Sequence, residues 1–226
     1  MDSWAEAEDY DSMDHTLVNQ RFAQDLLAAE PTGTDFLDLG TGTALIPIEM
    51  CRLLPRPIRV MASDASQPML ELARYRIEVA GLNDRIQLLY GDCRSLPFSN
   101  EFFDTVVSNT LIHHAPQPAD VLREAWRVLR PNGLLFFRDL IRPRDVVELE
   151  QLVELHAAND NESGRQLLRQ SLHASLTIDE IQSIASQVGI TQSESAISEI
   201  TQTSDRHWTM VVRKKWSTDS CDPSET

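Results

Sequence analysis

Cysteine is scarce in this chain, with Cys51, Cys93 and Cys221 the only three among 226 residues. They are odd in number and widely spaced, so they make neither a disulfide framework nor a zinc spacing, and they fit a reducing compartment. Glycine (8) and proline (11) are too few for a collagen-like or low-complexity chain. No apolar run approaches the ~18 residues of a membrane span. The longest such cluster, Leu134-Leu135-Phe136-Phe137, is strand-sized. Basic residues are in deficit too: 20 Lys and Arg stand against 35 Asp and Glu, a net charge of −15. Such a field repels phosphate backbones and anionic lipid, so neither nucleic acid nor membrane is expected as a partner. The chain opens on acids (Asp2, Glu6, Glu8, Asp9, Asp11), the reverse of a secretory signal, and a cytoplasmic location is the expectation.

What is present is an alternation of strand-like and helix-like segments. Residues 1–15 read as a flexible acidic arm. Apolar residues at Leu17, Val18, Phe22, Leu26 and Leu27 predict a helix over Thr16–Ala29, stopped by Pro31-Thr32-Gly33. Strands are predicted at Phe36–Leu39, Ile58–Ala62, Ile86–Tyr90, Phe103–Ser108 and Leu134–Arg138, the last after a Pro131-Asn132-Gly133 stop. Between them fall helices at Thr43–Leu54, Gln67–Ala80 and Pro118–Leu129. This rhythm means a parallel sheet with helices on both sides. After Pro143 it changes to two successive helices, Val146–Ala158 and Gly164–Ala174. Thr177 and Glu180 form a capping-box pattern opening a third, to about Val188. Late strands are expected near Thr191–Ala196 and Trp208–Arg213. The main body is expected to be one domain over 16–216, with a polar, disordered tail over 217–226.

Three turns carry chemistry. Asp38-Leu39-Gly40-Thr41-Gly42-Thr43 is a glycine turn between strand and helix, where a ligand can approach the backbone closely. Position 45, where a dinucleotide fingerprint needs its third glycine, is Leu45, and Ala44 is not glycine either, which disfavours a nicotinamide cofactor. Asp64 closes the next strand, where a carboxylate can accept both hydroxyls of a ribose; capping the following helix is its plainer role. Gly91-Asp92-Cys93 ends the third strand, placed to hold an adenine, or simply to turn the chain. All three lie at carboxyl ends of strands, where open α/β sheets bind ligands.

These segments, together with Ser66-Gln67-Pro68-Met69-Leu70, Phe103–Asn109 and Glu124-Ala125-Trp126-Arg127-Val128-Leu129-Arg130-Pro131-Asn132-Gly133, resemble the successive motifs of class I S-adenosylmethionine-dependent methyltransferases. The likeness covers about residues 16–140. It implies a Rossmann-like, doubly wound seven-stranded sheet of order 3-2-1-4-5-7-6, with strand 7 antiparallel. It also implies S-adenosylmethionine as cofactor and S-adenosylhomocysteine as product. By that likeness Gly40 and Gly42 face the methionine part of the cofactor and Asp38 supports the turn. Asp64 holds the ribose, and Ala65 and Met69 also belong to the cofactor-binding set. Asp92 and Cys93 meet the adenine, Ser108 or Asn109 the amino end, and Arg21 the carboxylate.

Methyl transfer from a sulfonium is an in-line displacement that proximity and alignment largely drive. His113 and His114 follow the fourth strand, and either ring is a candidate general base. A charged pair, Arg138-Asp139, leaves the fifth strand, and Arg206-His207 precede the last. These six are expected to converge on the acceptor side, around a small polar or anionic metabolite, with a helical lid over about 143–175. A structural ion network among Arg138, Asp139 and Arg206 is the alternative. A regulator that binds the cofactor without catalysis, or an enzyme acting on a protein side chain, also remains open. No metal is expected, because His113 and His114 lack a third ligand at an interpretable spacing. The chain is expected to be a monomer or a homodimer.

Overall fold

The computed structural model describes residues 16–158, 160–190 and 195–215, together with Trp4, Ala7 and Asp11. Helix α1 (Thr16–Ala28) precedes β1 (Asp35–Leu39), α2 (Leu45–Leu53), β2 (Arg59–Asp64), α3 (Gln67–Val79) and β3 (Ile86–Tyr90). Then come β4 (Phe103–Asn109), a 3-10 turn at Ile112–His114, α4 (Pro118–Val128) and β5 (Leu129–Leu140). Helices α5 (Val146–His156), α6 (Glu162–Ala174) and α7 (Ile178–Gln187) follow, then β6 (Ser195–Gln202) and β7 (His207–Lys214). The seven strands form one sheet of order β3-β2-β1-β4-β5-β7-β6. β1 to β5 run parallel, and β7 is antiparallel to both β5 and β6. The expected order and hand of strand 7 are therefore observed.

Side chains alternate across each strand, so the sheet carries two apolar faces. Leu37, Leu39, Val106, Leu135, Phe137, Trp208 and Met210 pack on one side against α4 and α7. Phe36, Val60, Ala62, Val107, Leu134 and Phe136 pack on the other against α1, α2 and α3. There Phe22 of α1 meets Phe136 edge-on, with ring centroids 5.1 Å apart. A smaller cluster of Leu140, Leu152, Val153, Ala157 and Leu172 joins α5 and α6 to the end of β5. The capping box forms at the start of α7: the Thr177 hydroxyl accepts from the Glu180 N–H at 3.2 Å, and the Glu180 carboxylate accepts from the Thr177 N–H at 2.8 Å.

Two expectations need correction. β5 begins at Leu129, not Leu134: Leu129 pairs with Phe103 and Leu134 with Thr105, and a register shift lies between. Pro131-Asn132-Gly133 is thus an irregularity inside the strand, not a stop before it. A Cβ at Gly133 would come within 2.8 Å of the Asp104 carbonyl oxygen, so only glycine fits there. β6 runs Ser195–Gln202, later than the predicted Thr191–Ala196, whose first four positions lie outside the described residues. Of the N-terminal arm, Asp11 is held by Arg76 of α3 through two contacts of 2.7 Å. The rest of the arm, apart from Trp4 and Ala7, and the tail over 217–226 lie outside the described residues.

Candidate functional site

The turn after β1 winds through three left-handed residues in alternate positions, Gly40 (φ 70), Gly42 (φ 55) and Ala44 (φ 62). Ala44 thus holds a conformation that suits glycine, at a cost of about 1 kcal/mol for an L residue. The Gly40 and Thr41 N–H groups both donate to the Ser63 carbonyl at 2.9 Å, which ties the turn to β2. A Cβ on Gly40 would lie 2.8 Å from Leu111, so the loop after β4 closes over the turn. Asp64 receives the Gly42 N–H on one oxygen and the Ser66 N–H on the other, each at 2.8 Å. Burial pushes its carboxyl pKa up, while the N–H groups of Ser66, Gly42 and Ala65 oppose the rise. Ser66 caps α3 through the Met69 N–H, and Met69 is buried.

Asp38 is 2% exposed, and its Oδ2 has no hydrogen-bond partner. Its pKa is pushed up to about 7, mostly by burial; the Thr41 hydroxyl opposes the rise and neighbouring Asp64 adds to it. The Thr43 and Ser63 hydroxyls and Asn109 Oδ1 are also buried without partners. Unsatisfied polar atoms on β1, β2, β4 and the glycine turn therefore gather where the strand order reverses beside β1. That is where sheets of this kind take ligands, and polar atoms are seldom left so without reason.

Two sequence candidates are otherwise engaged. The Ser108 hydroxyl donates to the Leu39 carbonyl at 2.9 Å and ties β4 to β1. The half-exposed Asp92 accepts from the Arg94 backbone at 2.9 Å and from its guanidinium at 2.6 Å, which holds its pKa down. Cys93 next to it is partly buried, and burial pushes its thiol up to about 11, so it stays protonated.

At the far rim the six acceptor-side candidates do not converge. Strand alternation sends Arg138 and Asp139 to opposite faces. On the α4 side, Asp139 Oδ1 lies 2.6 Å from His113 Nδ1, with the two side chains 1% and 3% exposed. The same carboxylate accepts the His113 N–H at 3.2 Å and the Leu140 N–H at 2.6 Å. His113 Nε2 and Trp208 Nε1, both buried, have no partners. The His114 ring packs 4.0 Å from that of His113, and its pKa falls to about 4 through burial and then the neighbouring His113 ring.

On the α1 side, Arg138 is 5% exposed and donates to Asp25 at 2.5 Å and to the Thr209 hydroxyl at 3.0 Å. Its guanidinium also lies 5.7 Å from the Phe22 ring centroid. Asp25 receives Arg21 as well, at 3.0 Å. Arg21, Asp25, Arg138, Arg206 and His207 line one cavity of about 380 Å³, closed by the start of α1, His156 of α5 and the β6–β7 turn. His207 is held by the Ser204 hydroxyl at 2.8 Å, and burial, helped by Arg206 and Arg138, drives its pKa to about 3. The single ion network among Arg138, Asp139 and Arg206 does not form: each of the first two has its own partner, and the Arg206 side chain has none among the described residues. Sequence reasoning missed Asp25. Its signal was a carboxylate three residues after Phe22 and one before Leu26, on the edge of the apolar stripe of α1.

Residues 37–137, from β1 into β5, match the family model described as a methyltransferase domain. A crystal structure from Methanococcus maripaludis, assigned as an S-adenosyl-L-methionine-dependent methyltransferase, shares the fold. Its TM-score is 0.75 at 21% identity, over 96% of this chain and 95% of that one. Over that stretch the chain carries a methyltransferase domain. Curated relatives of this domain include a ubiquinone/menaquinone biosynthesis C-methyltransferase from Geotalea daltonii, 27% identical over 57% of this chain and 54% of the relative. A demethylmenaquinone methyltransferase from Listeria welshimeri is 34% identical over 49% of this chain and 47% of the relative. The match thus spans about half the length of those relatives. In the methyltransferase domain the turn after β1, Asp64 and the end of β4 stand together at the carboxyl ends of the strands, and Arg138 of the charged cavity pairs in register with Asn109 at the end of β4. No described helix is long and apolar enough to cross a membrane, and the described residues hold no cluster of three or more metal-ligating side chains.

Proposed function

We propose that this protein transfers a methyl group from S-adenosylmethionine to a small polar or anionic acceptor. The observation that carries the reading is the set of buried, partnerless polar atoms around the glycine turn, which fits a ligand rich in hydroxyl and amino groups. Asp64 accepts the Gly42 and Ser66 N–H groups on its two oxygens, and its remaining lone pairs suit the hydroxyls of a ribose. Asp38 Oδ2, the Ser63 and Thr43 hydroxyls and Asn109 Oδ1 suit the amino acid end. Gly40 and Gly42 let that end lie against the backbone, with exposed Ala65 and buried Met69 flanking the sugar. Asp92 and Cys93 border the adenine, which must share Asp92 with its Arg94 contacts. When bound, the cofactor supplies an activated methyl group.

The chain's own residues then have two tasks. With Nδ1 engaged by Asp139, His113 presents Nε2 as the acceptor for a proton released by the substrate. His114, neutral at pH 7, keeps a second charge away from that ring. Across β5, Arg138, Arg206 and His207 shape the polar cavity for the acceptor's body, and α5, whose His156 lines it, serves with α6 as the lid. The names of the curated relatives support a small molecule methylated at carbon.

The test incubates the full chain with methyl-labelled S-adenosylmethionine and a small-molecule extract, and separates the products by size. Label in the small-molecule fraction is expected. Label in protein only points to a side-chain acceptor. Binding of S-adenosylhomocysteine with no labelled product points to a cofactor-binding regulator.

A further inference from the structure

We infer that the cavity between α1, the end of β5 and the β6–β7 turn recognises a single carboxylate on the acceptor, with Arg206 as its counter-ion. The inference rests on the methyl-transfer reading for what the bound acid is used for, and on the cavity alone for the binding. At about 380 Å³ the cavity holds a small molecule. Its charges set the class of that molecule. Arg138 is matched by Asp25 and Thr209, and exposed Arg21 shares the same Asp25. His156 Nε2 lies 2.6 Å from Asp205 and takes up that carboxylate. The Arg206 guanidinium is left over: its backbone N–H and C=O are bonded, and its side chain has no hydrogen bond or ion pair with any described residue. It is also partly buried, and that burial pushes its pKa down.

A carboxylate satisfies the planar fork of such a half-buried guanidinium with two parallel hydrogen bonds. Three guanidinium groups and two carboxylates line the space, so the arginines outnumber the carboxylates by one, in a chain whose net charge is −15. A second negative charge on the ligand would meet Asp25 and Asp205 rather than a free cation. Leu17 and Val18 supply an apolar wall for the rest of the molecule. The fitting ligand is a small monocarboxylic acid with an apolar body.

Benzoate, benzamide and phenyl phosphate, titrated calorimetrically into the full chain with and without saturating S-adenosylhomocysteine, test this. Benzoate is expected to bind about tenfold or more tighter than benzamide, the value of one charged hydrogen-bonded contact, and phenyl phosphate no tighter than benzoate. Arg206→Gln is expected to bring benzoate down to the level of benzamide, and Arg206→Lys to restore part of the difference. The affinity for S-adenosylhomocysteine should stay within about twofold in both variants, since Arg206 is not among the residues proposed to hold the cofactor. Equal binding of benzoate and benzamide, absence of benzoate binding, a preference for phenyl phosphate, or an Arg206→Gln chain that still selects benzoate each overturns the inference. Failure of S-adenosylhomocysteine to bind while benzoate selectivity persists overturns the methyl-transfer reading instead.

Discussion

Removing Asp25 isolates a charge that the fold has buried. Arg138 is 5% exposed, its guanidinium is surrounded by Phe22, Phe136 and Thr209, and Asp25 is its only anionic partner among the described residues. Breaking a fully buried pair from one side costs ~3–5 kcal/mol. Here Asp25 is 26% exposed, and the two rings and the Thr209 hydroxyl remain, so water and those contacts absorb part of the penalty. Asp25→Ala should therefore cost about 2–3 kcal/mol, seen as a melting temperature about 4–12 °C lower for a chain of this size. Arg138→Met should cost less, because a methionine fills the space without a charge. The double variant should be more stable than Asp25→Ala alone, giving a coupling of at least ~1 kcal/mol in a urea-unfolding cycle. A loss below ~0.5 kcal/mol in Asp25→Ala, or strictly additive single effects, would show that Arg138 reaches solvent and that the pair is an ordinary surface contact.

Asp64→Ala should abolish the stabilisation by S-adenosylhomocysteine, which in the parent at a hundredfold over its dissociation constant amounts to ~2.7 kcal/mol and is read as a melting shift. Asp38 protonates near pH 7 in the folded chain and near 3.8 when unfolded, so its contribution is favourable at low pH and is lost as pH rises through 7. Asp38→Asn should then melt higher than the parent at pH 8 relative to pH 5 without ligand, yet bind S-adenosylhomocysteine more weakly. His207 acts with the opposite sign. Its folded pKa near 3 lies below the ordinary 6.5, so stability present above 6.5 drains away as pH falls toward 3, and His207→Gln should lose less between pH 7 and pH 5 in thermal melts. Thr177→Ala, which removes the cap of α7, should cost ~0.5–2 kcal/mol in urea unfolding.

The strand–helix alternation was legible because parallel strands covered on both faces are short apolar runs and the helices between them carry their own stop signals. Ile86–Tyr90 could be bounded from the residues alone. β5 could not, because Leu129 joins the sheet by pairing with Phe103, a contact no local window contains, while Pro131-Asn132-Gly133 carries every mark of a turn. β6 was misplaced for a related reason: Ser195–Gln202 alternates small polar and apolar residues weakly, so its partner β7, not its own pattern, sets its span. At the site, the glycine turn and Asp64 could be found because backbone geometry demands those residue types at those places. The grouping of Arg138 with Asp139 failed because neighbours in sequence are opposites across a strand. Asp25 was passed over because one acid in a helix is ordinarily a solvated one.

The end of β5 thus works as a partition. One residue sends a cation to the α1 side and the next sends an anion to the α4 side, so the groups suited to grasp an acceptor and the group suited to take its proton are anchored on opposite faces of one strand. Substitutions in one compartment should then leave the other almost unchanged, and a lineage of such proteins could exchange one acceptor for another without rebuilding its proton acceptor. The weak point of that arrangement is registry. Inserting a single residue ahead of Arg138 would swap the two compartments' charges at once, so this strand should tolerate changes of side chain far better than changes of length.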